Sequence, residues 1–233
     1  MQKTKIEWAD YSWNPIKGRC PKNCWYCYAT KMYDRFKWGD FLRIDYKELD
    51  CAMPKKPSRI FVGSTIELFH EKIDEHWRSI IFDRIRRYPE HDFIILTKKP
   101  DYIDKELPEN VWLGVTITTQ KDIWRWDYIQ WKSQPRIRFI SYEPLIGRIT
   151  APPGPGRPAD SGPDWVIIGR MTGQGHDLDP RLDWVLELVK YYQDLKTPVF
   201  IKDNLFDIWG TPIREFPDPK RKDRIEPQWE WGR

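Results

Sequence analysis

Three of the chain's four cysteines, Cys20, Cys24 and Cys27, fall within eight residues. Cysteine thiolates at such short spacings hold iron–sulfur clusters, and a cluster of four irons bound by three protein thiolates leaves one iron open to another ligand. Zinc is the alternative metal, and it needs a fourth ligand from residues distant in sequence: His70, His76, His91, His176 or Cys51. Three ordinary buried cysteines are a further alternative, which the close spacing disfavours. The spacing favours the iron–sulfur cluster, and an open iron permits chemistry as well as electron transfer.

The composition predicts a soluble globular protein of one domain, or two at most. The chain has 233 residues, of which 40% are hydrophobic and 15% aromatic, which is enough to form a hydrophobic core. The composition therefore excludes the disordered, collagen-like and coiled-coil classes of protein. No apolar run approaches the ~18 residues that cross a bilayer, and the start of the chain lacks the apolar stretch of a signal peptide. We therefore expect a cytoplasmic protein without a membrane partner. The net charge of +4 tolerates an anionic partner but names no substrate.

Apolar, β-rich runs recur along the chain, and each predicts a buried strand. The clear runs are residues 59–63, 93–96, 111–115, 137–142, 165–169 and 199–201. A weaker run, residues 12–16, precedes the cysteines. Asp74 is expected to cap a helix that Pro89 ends, and Asp179 with Pro180 is expected to begin another. Shorter helices are expected over residues 30–36, 102–107 and 120–131.

Strands that alternate with helices predict an α/β fold with parallel pairing and right-handed crossovers. The spacing suits a doubly wound sheet or a full or partial (β/α) barrel. Residues 150–164 hold five prolines and three glycines, which predicts a long surface loop or, as the alternative, a linker between domains. We expect one domain over residues 1–210 and an irregular tail over residues 211–233 that packs on it.

The cysteine motif, C-x3-C-x2-C with the aromatic Tyr26 just before the last cysteine, resembles the signature of the radical S-adenosylmethionine (SAM) superfamily. The resemblance implies that Cys20, Cys24 and Cys27 hold a [4Fe–4S] cluster whose open iron binds the amino and carboxylate groups of SAM. Reductive cleavage of SAM then yields a 5′-deoxyadenosyl radical that abstracts hydrogen from a substrate. Tyr26 would lie near the adenine, and a reductant such as flavodoxin or ferredoxin would supply the electron.

Segments over nearly the whole chain are similar to an uncharacterised, phage-associated branch of that superfamily. They are residues 7–8, 13–15, 61–64, 68–70, 96–98, 111–115, 138–141, 143–145 and 164–167. The resemblance implies a partial (β/α)6 barrel of the TIM type. One departure is the run Gly169-Arg170-Met171, where that branch is expected to have Gly-Gly-Glu, so the acid expected there is missing.

Polar residues just beyond the predicted strands are candidates for the site, because the loops that follow the strands of a (β/α) barrel build its active site. The expected cofactor-binding residues are Gly63, Ser64, Glu67, Thr97, Thr116, Thr118 and Ser141. The first three are assigned to the SAM amino group, as the resemblance implies. Lys98, Glu143 and Lys202 are candidate catalytic residues, since a charge inside a barrel mouth needs a partner. The alternative is that strands simply end where polar residues begin.

Cys51 is a further candidate catalytic residue. In spore photoproduct lyase, whose cysteine spacing the motif also resembles, a separate cysteine donates hydrogen to a product radical. The alternative for Cys51 is a small buried apolar residue. His70 is expected to be either a proton donor or a residue at the start of a helix.

The sequence thus leads to the hypothesis of a radical SAM enzyme that uses a [4Fe–4S] cluster and SAM. A nucleobase or nucleotide in DNA or RNA is the first candidate substrate, given the phage association, the aromatic content and the mild basicity, and a peptide or small metabolite is nearly as well supported. The alternative is a non-catalytic nucleic-acid-binding protein stabilised by zinc or an inert cluster. An electron-transfer or maturation partner is a weaker option, and no oligomeric state is predicted.

Overall fold

Ten strands and six α-helices make up the described part of the chain, which in this computed structural model comprises residues 1–103, 106–132, 135–154, 162–173 and 176–218. The strands are β1 (Gln2–Lys3), β2 (Tyr11–Trp13), β3 (Ile16–Lys17), β4 (Arg43–Ile44), β5 (Arg59–Val62), β6 (Asp92–Thr97), β7 (Val111–Thr116), β8 (Ile137–Tyr142), β9 (Trp165–Ile168) and β10 (Val199–Ile201). The α-helices are α1 (Tyr28–Phe36), α2 (Tyr46–Leu49), α3 (Glu75–Arg86), α4 (Trp124–Lys132), α5 (Leu182–Asp194) and α6 (Phe206–Trp209). Short 3-10 turns lie at Pro100–Tyr102, Gln120–Asp122, His176–Leu178 and Asp203–Leu205.

Eight of the strands form one sheet in the order β1-β2-β5-β6-β7-β8-β9-β10. All neighbours from β2 to β10 are parallel, and β1 pairs antiparallel with β2 at one edge. Each parallel strand therefore adds beside the one before it in the sheet, while β3 and β4 form a separate antiparallel hairpin. These findings confirm the predicted α/β class with parallel pairing. Within the described residues no ladder closes the sheet into a barrel.

The sheet has two faces with separate cores, because successive side chains of a strand point to opposite sides. On the helix face, Ile95 and Leu113 share a core with Ile81 of α3 and Leu188 of α5. On the opposite, aromatic face, the buried residues include Trp8, Phe61, Trp112, Phe139, Trp165 and Phe200. The helices thus flank the sheet on one side, and large rings fill the other.

Gly114 shows how closely the aromatic face is packed. It lies in register with Phe139 on the neighbouring strand, and a Cβ at this position would overlap the Phe139 ring. Glycine at this point of β7 is therefore required for the ring to lie flat against the sheet.

Both ends of the described chain pack against the amino end of the aromatic face. The ring centroid of Trp8 lies 4.7 Å from that of Phe61, and the Phe216 centroid lies 5.4 Å from that of Trp165. The guanidinium carbon of Arg59 lies 4.1 Å from the Phe216 centroid. Residues 213–215 run beside β10 through backbone hydrogen bonds. The rest of the expected tail, residues 219–233, is outside the described residues.

The six clear strand predictions are confirmed as β5 to β10. The weaker run over residues 12–16 is divided between β2 and β3, which belong to different sheets. The predicted helix after Asp74 is also confirmed, because the Asp74 carboxylate accepts a hydrogen bond of 2.8 Å from the His76 N–H at the start of α3. The helix predicted over residues 30–36 is α1, and the one over 120–131 is a 3-10 turn followed by α4.

One helix prediction was wrong, and another was confirmed with a misplaced start, since the helix predicted after Asp179 is α5. Helix α5 begins at Leu182 with Arg181 as its N-cap, because the Asp179 carboxylate binds Arg170 at 2.9 Å instead of capping a helix. The helix expected over residues 102–107 is replaced by the 3-10 turn that ends at Tyr102, and the following Pro108 disfavours helical backbone at the residue before it. Residues 104–105, and residues 155–161 of the predicted surface loop, lie outside the described parts. No described helix has the length and apolar character needed to cross a membrane.

Candidate metal and cofactor site

The cysteine loop, residues 20–27, joins β3 to α1. Two backbone hydrogen bonds shape it, from the Asn23 N–H to the Cys20 carbonyl and from the Cys27 N–H to the Cys24 carbonyl, and Asn23 has a left-handed φ of 45°. Cys27 is the N-cap of α1, whose N-terminus favours nearby negative charge. All of the loop's cysteines are free thiols and partly buried.

Cys20 attaches this loop to the segment that follows β5. Its Sγ accepts a hydrogen bond of 3.2 Å from the backbone N–H of Glu67. Burial raises the pKa of the Cys20 thiol, and the Glu67 N–H partly opposes that rise. A sulfur already facing a backbone N–H resembles the hydrogen-bonded cysteines that surround iron–sulfur clusters.

The donor chemistry of the loop fits a thiolate-bound cluster. Three free thiols lie on one short loop, and none of them forms a disulfide. Among the residues that the structure describes, no three His, Cys, Asp or Glu side chains are grouped as metal ligands. The fit is therefore one of donor type and position on one loop, with Cys20, Cys24 and Cys27 as the residues that would hold the cluster.

Tyr26 and Tyr28 connect the cysteine loop with the carboxyl end of the sheet. Burial, followed by the nearby Cys24, raises the pKa of Tyr26 strongly, and the Lys98 ammonium lies 5.9 Å from the Tyr26 ring centroid. The Tyr28 hydroxyl donates to the Ser64 carbonyl at 2.9 Å. The structure thus brings the predicted Tyr26, Ser64 and Lys98 to one region beside the cysteines.

The buried Glu67 links the segments that follow β5 and β6 through hydrogen bonds of its carboxylate. Its Oε1 accepts from the Thr97 hydroxyl at 2.6 Å and from the Phe69 N–H at 3.3 Å, and its Oε2 accepts from the Lys98 N–H at 2.7 Å. Thr97 lies on the helix face of β6, where its hydroxyl donates to Glu67. The two residues therefore bind each other and position the neighbouring Cys20 and Lys98.

Thr116 and Ser141 form the polar floor of the carboxyl end. They are in register on β7 and β8, lie on the aromatic face and are fully buried. Neither hydroxyl has a hydrogen-bond partner among the described residues. Buried hydroxyls in proteins nearly always have one, so this pair is suited to polar atoms of a bound ligand. The predicted Thr118 differs, because its hydroxyl and N–H both donate to Asp122.

An ion pair between Glu143 and Lys202 crosses the end of β9. Gly169 lies between them, and a Cβ there would approach the Lys202 Cδ to 3.0 Å and the Glu143 Cδ to 3.3 Å. Glu7 lies nearby: burial raises its pKa, opposed by Lys202 and Arg214, and it accepts a hydrogen bond from the Asp203 N–H. Opposite charges are therefore held next to the floor of unpartnered hydroxyls.

Four other positions that the sequence analysis singled out have different surroundings. Cys51 lies against the helix-face core, where its Sγ faces the amino terminus at 3.6 Å and its carbonyl accepts from Arg84. Arg170, found in place of the expected second glycine, pairs with Asp179 and Asp207. Burial lowers the pKa of His70, and its Nδ1 accepts from the Lys72 N–H at 3.2 Å. Gly63 has a φ of +70° and turns the chain after β5.

The sequence analysis did not predict that Tyr28, Gly169 and Glu7 contribute to this region. Tyr28 directly follows the motif and is the only one of them with a local signal. Gly169 lies against the side chains of residues 143 and 202, and Glu7 interacts with residues 203 and 214. These partners are distant in sequence, so the contacts form only in the folded sheet.

The comparisons with known proteins identify a family but no individual relative. No curated protein and no solved structure matches the chain. A family model described as "Protein of unknown function (DUF5131)" matches residues 3–215, which include the cysteine loop and every strand from β2 to β10. The chain therefore belongs to the DUF5131 family.

Proposed function

We propose that this chain is a radical SAM enzyme whose [4Fe–4S] cluster is held by Cys20, Cys24 and Cys27. When bound, such a cluster supplies the electron that cleaves SAM and so yields a 5′-deoxyadenosyl radical for hydrogen abstraction. The observation that carries the proposal is the C-x3-C-x2-C loop of free thiols beside the carboxyl ends of the parallel strands.

The strand order supports a partial (β/α)6 barrel as the finer form of this fold. In such a barrel each parallel strand pairs with the next one in sequence, and the helices cover one face. The run from β5 to β10 has both properties, with β2 and the antiparallel β1 added at one edge. In that arrangement the aromatic face is the inside of the barrel.

The polar groups at the carboxyl end support the binding of SAM there. Thr116 and Ser141 present hydroxyls that no described residue hydrogen-bonds, which suits the ribose or the methionine portion of SAM. Glu143 and Lys202 present opposite charges, which suits the SAM ammonium and carboxylate or a proton transfer at a substrate. Tyr26 and Lys98 lie on the side of the cysteine loop.

The rings of the aromatic face exclude water from below this region. Phe139 packs over Gly114, and Trp165 lies 5.4 Å from Phe139 between ring centroids. Shielding from water prevents side reactions of a reactive intermediate. The protein itself would therefore position the ligands at the carboxyl end, next to the packed rings of the aromatic face.

The proposal includes a protein reductant such as flavodoxin or ferredoxin and a cytoplasmic setting. The first candidate substrate is a nucleobase or nucleotide in DNA or RNA. Cys51 contacts the amino terminus and Arg84, which favours a structural role for it over that of a hydrogen donor.

The test is anaerobic purification with iron, sulfide and zinc analysis, followed by incubation with dithionite and SAM. We expect roughly four irons and four sulfides per chain and release of 5′-deoxyadenosine. Cys24→Ala should abolish the cluster absorbance while circular dichroism retains the fold. Cys51→Ala is the matched control, since it also removes one thiol but should keep the cluster.

Two results would contradict the proposal. Zinc without sulfide would indicate the alternative of a metal-stabilised binding protein. An intact cluster without any release of 5′-deoxyadenosine would indicate an electron-transfer role.

A further inference from the structure

Positive charge is concentrated in residues 17–47, called here the α1 segment. It contains eight Lys or Arg residues and three Asp residues, a net charge of +5, whereas the whole chain has +4. The rest of the chain is thus slightly acidic. The segment also contains the entire cysteine loop.

The acidic residues of the α1 segment are already engaged. Asp34 and Asp40 both pair with Arg19, at 2.8 Å and 2.9 Å, and Asp45 accepts from the Glu48 N–H at the start of α2. Asp34 and Asp40 therefore neutralise Arg19, and the other basic residues of the segment are Lys17, Lys22, Lys31, Arg35, Lys37, Arg43 and Lys47.

Large aromatic rings of the same segment are exposed. Phe41 is 81% exposed and Trp25 is 61% exposed, and four further rings are exposed to a lesser extent: Tyr28, Phe36, Trp38 and Tyr46. The described remainder of the chain, several times longer, exposes only four aromatic rings, at Tyr102, Trp124, Phe206 and Phe216. Such a local concentration of exposed rings is typical of a binding surface.

Packing within the segment holds Phe36 and Trp38 in place. The β3–β4 hairpin brings Gly18 against the backbone of Phe41, and the Gly18 N–H donates to the Tyr33 hydroxyl at 3.0 Å. Trp38 packs edge-on against Tyr33 and stacks on Phe36, with ring centroids 5.3 Å apart in both pairs. A ligand that stacks on Phe36 or Trp38 therefore meets an ordered ring, so little side-chain entropy is lost there on binding.

We propose that the α1 segment binds single-stranded nucleic acid next to the cysteine loop. Unpaired bases stack on exposed rings without regard to sequence, and basic side chains compensate the phosphates. The charge favours an anionic partner over a neutral apolar one, and bases that are not paired have free faces for the rings. The inference rests on the proposed function only where it names the bound strand as the substrate.

The position of α1 places such a strand beside the candidate site. Tyr28 contacts the Ser64 carbonyl after β5, and the Lys31 ammonium donates to the Gly173 carbonyl after β9 at 2.7 Å. A strand on the α1 segment therefore lies next to the carboxyl ends of these strands, which is where a base would enter.

The experiment is fluorescence anisotropy with labelled 15-nucleotide probes, oligo(dT) and oligo(rU), at two salt concentrations. We expect binding that weakens with salt. Trp25→Ala and Phe41→Ala should each weaken it roughly 5-fold to 150-fold, the equivalent of ~1–3 kcal/mol per stacked base. Phe206→Ala is the matched control, because this ring is 61% exposed on α6 outside the segment. Lys37→Gln should reduce the salt dependence, and the control Lys190→Gln on α5 should not.

Several outcomes would overturn the inference: no binding of either probe at low salt, equal losses in the segment and control variants, or preference for a DNA duplex. Binding to anionic vesicles, or self-association removed by Phe41→Ala, without probe binding would point to a lipid or a second copy instead. The Cys24→Ala variant separates the two proposals. This variant should lose the cluster and keep probe binding if both proposals hold. Probe binding by a wild-type protein that forms no cluster would uphold this inference while the proposed function fails.

Discussion

The two ends of the aromatic face are built from the same strands but differ in what their side chains satisfy. At the amino end, Trp8, Trp165 and Phe216 pack ring against ring, and Arg59 covers Phe216. At the carboxyl end, the Thr116 and Ser141 hydroxyls are buried without a hydrogen-bond partner among the described residues, and an ion pair crosses Gly169. The amino end therefore contributes packing, and the carboxyl end holds buried polar groups that a ligand could satisfy, as the proposed function requires.

The largest expected effect is on stability at the amino end. Trp165→Ala removes a fully buried ring that contacts Trp8, Trp112 and Phe200, so the free energy of unfolding should fall by about 3–5 kcal/mol. Urea denaturation followed by circular dichroism measures this. The exposed Phe206→Ala variant should lose far less, and equal losses would remove the contrast between packed and exposed rings.

The second effect concerns the ion pair at the carboxyl end. Glu143→Gln leaves the partly buried Lys202 without its partner and should destabilise the protein by about 2 kcal/mol. Release of 5′-deoxyadenosine should fall about tenfold or more, since charge-assisted hydrogen bonds contribute ~1.5–3 kcal/mol. The Glu143→Gln/Lys202→Met double variant should recover stability without recovering activity. Recovery of both would mean that the pair is only structural.

The third effect is a stability gain. Thr116→Val replaces a buried hydroxyl, for which the described part of the chain offers no hydrogen-bond partner, by a methyl group of similar size. The ligand-free protein should therefore become more stable by about 1 kcal/mol. Its affinity for SAM, measured by calorimetry, should fall. Thr118→Val is the control, because its hydroxyl donates to Asp122 at 2.7 Å and its loss should destabilise. A destabilised Thr116→Val variant would contradict the proposed role of the floor.

The smallest effect is a pH dependence from His70. Burial lowers its pKa from the usual 6.5, so below that pH the unfolded chain binds a proton more readily than the folded one, and the free energy of unfolding should decrease as pH falls through 6.5. His70→Asn, whose amide oxygen can accept from the Lys72 N–H, should flatten this decrease. Exposed His76→Asn should leave it unchanged, and an identical slope in all three proteins would exclude His70 as the cause.

The strands were predictable because their buried runs are local and apolar. Residues 59–63 and 137–142, for example, read directly as β5 and β8. The β3–β4 hairpin was not predicted, because each strand has two residues and Lys17 and Arg43 carry no apolar alternation. The start of α5 was misplaced because the Asp179 carboxylate has a tertiary partner, Arg170, that no local pattern reveals.

The candidate site was predictable only in outline. Strand ends correctly indicated where Thr116, Ser141 and Lys202 lie, since polarity changes there along the sequence. The same change in polarity also selected Glu67 and Thr97, which hydrogen-bond to each other. The sequence cannot distinguish such an internal pair from two residues that bind a ligand. The pairing of Glu143 with Lys202 across Gly169 depends on three adjacent strands and has no counterpart in local sequence.

Helix α1 is fastened at two points to different loops, by the Tyr28 hydroxyl and the Lys31 ammonium, and its first residue follows directly from Cys27. These contacts join the cysteine loop to the segments after β5 and β9. Under the proposed function, a shift of the thiols on binding a cluster would therefore displace those segments as well. Tyr28→Phe removes one of the two hydrogen bonds, so it would separate cluster binding from the position of the segment after β5.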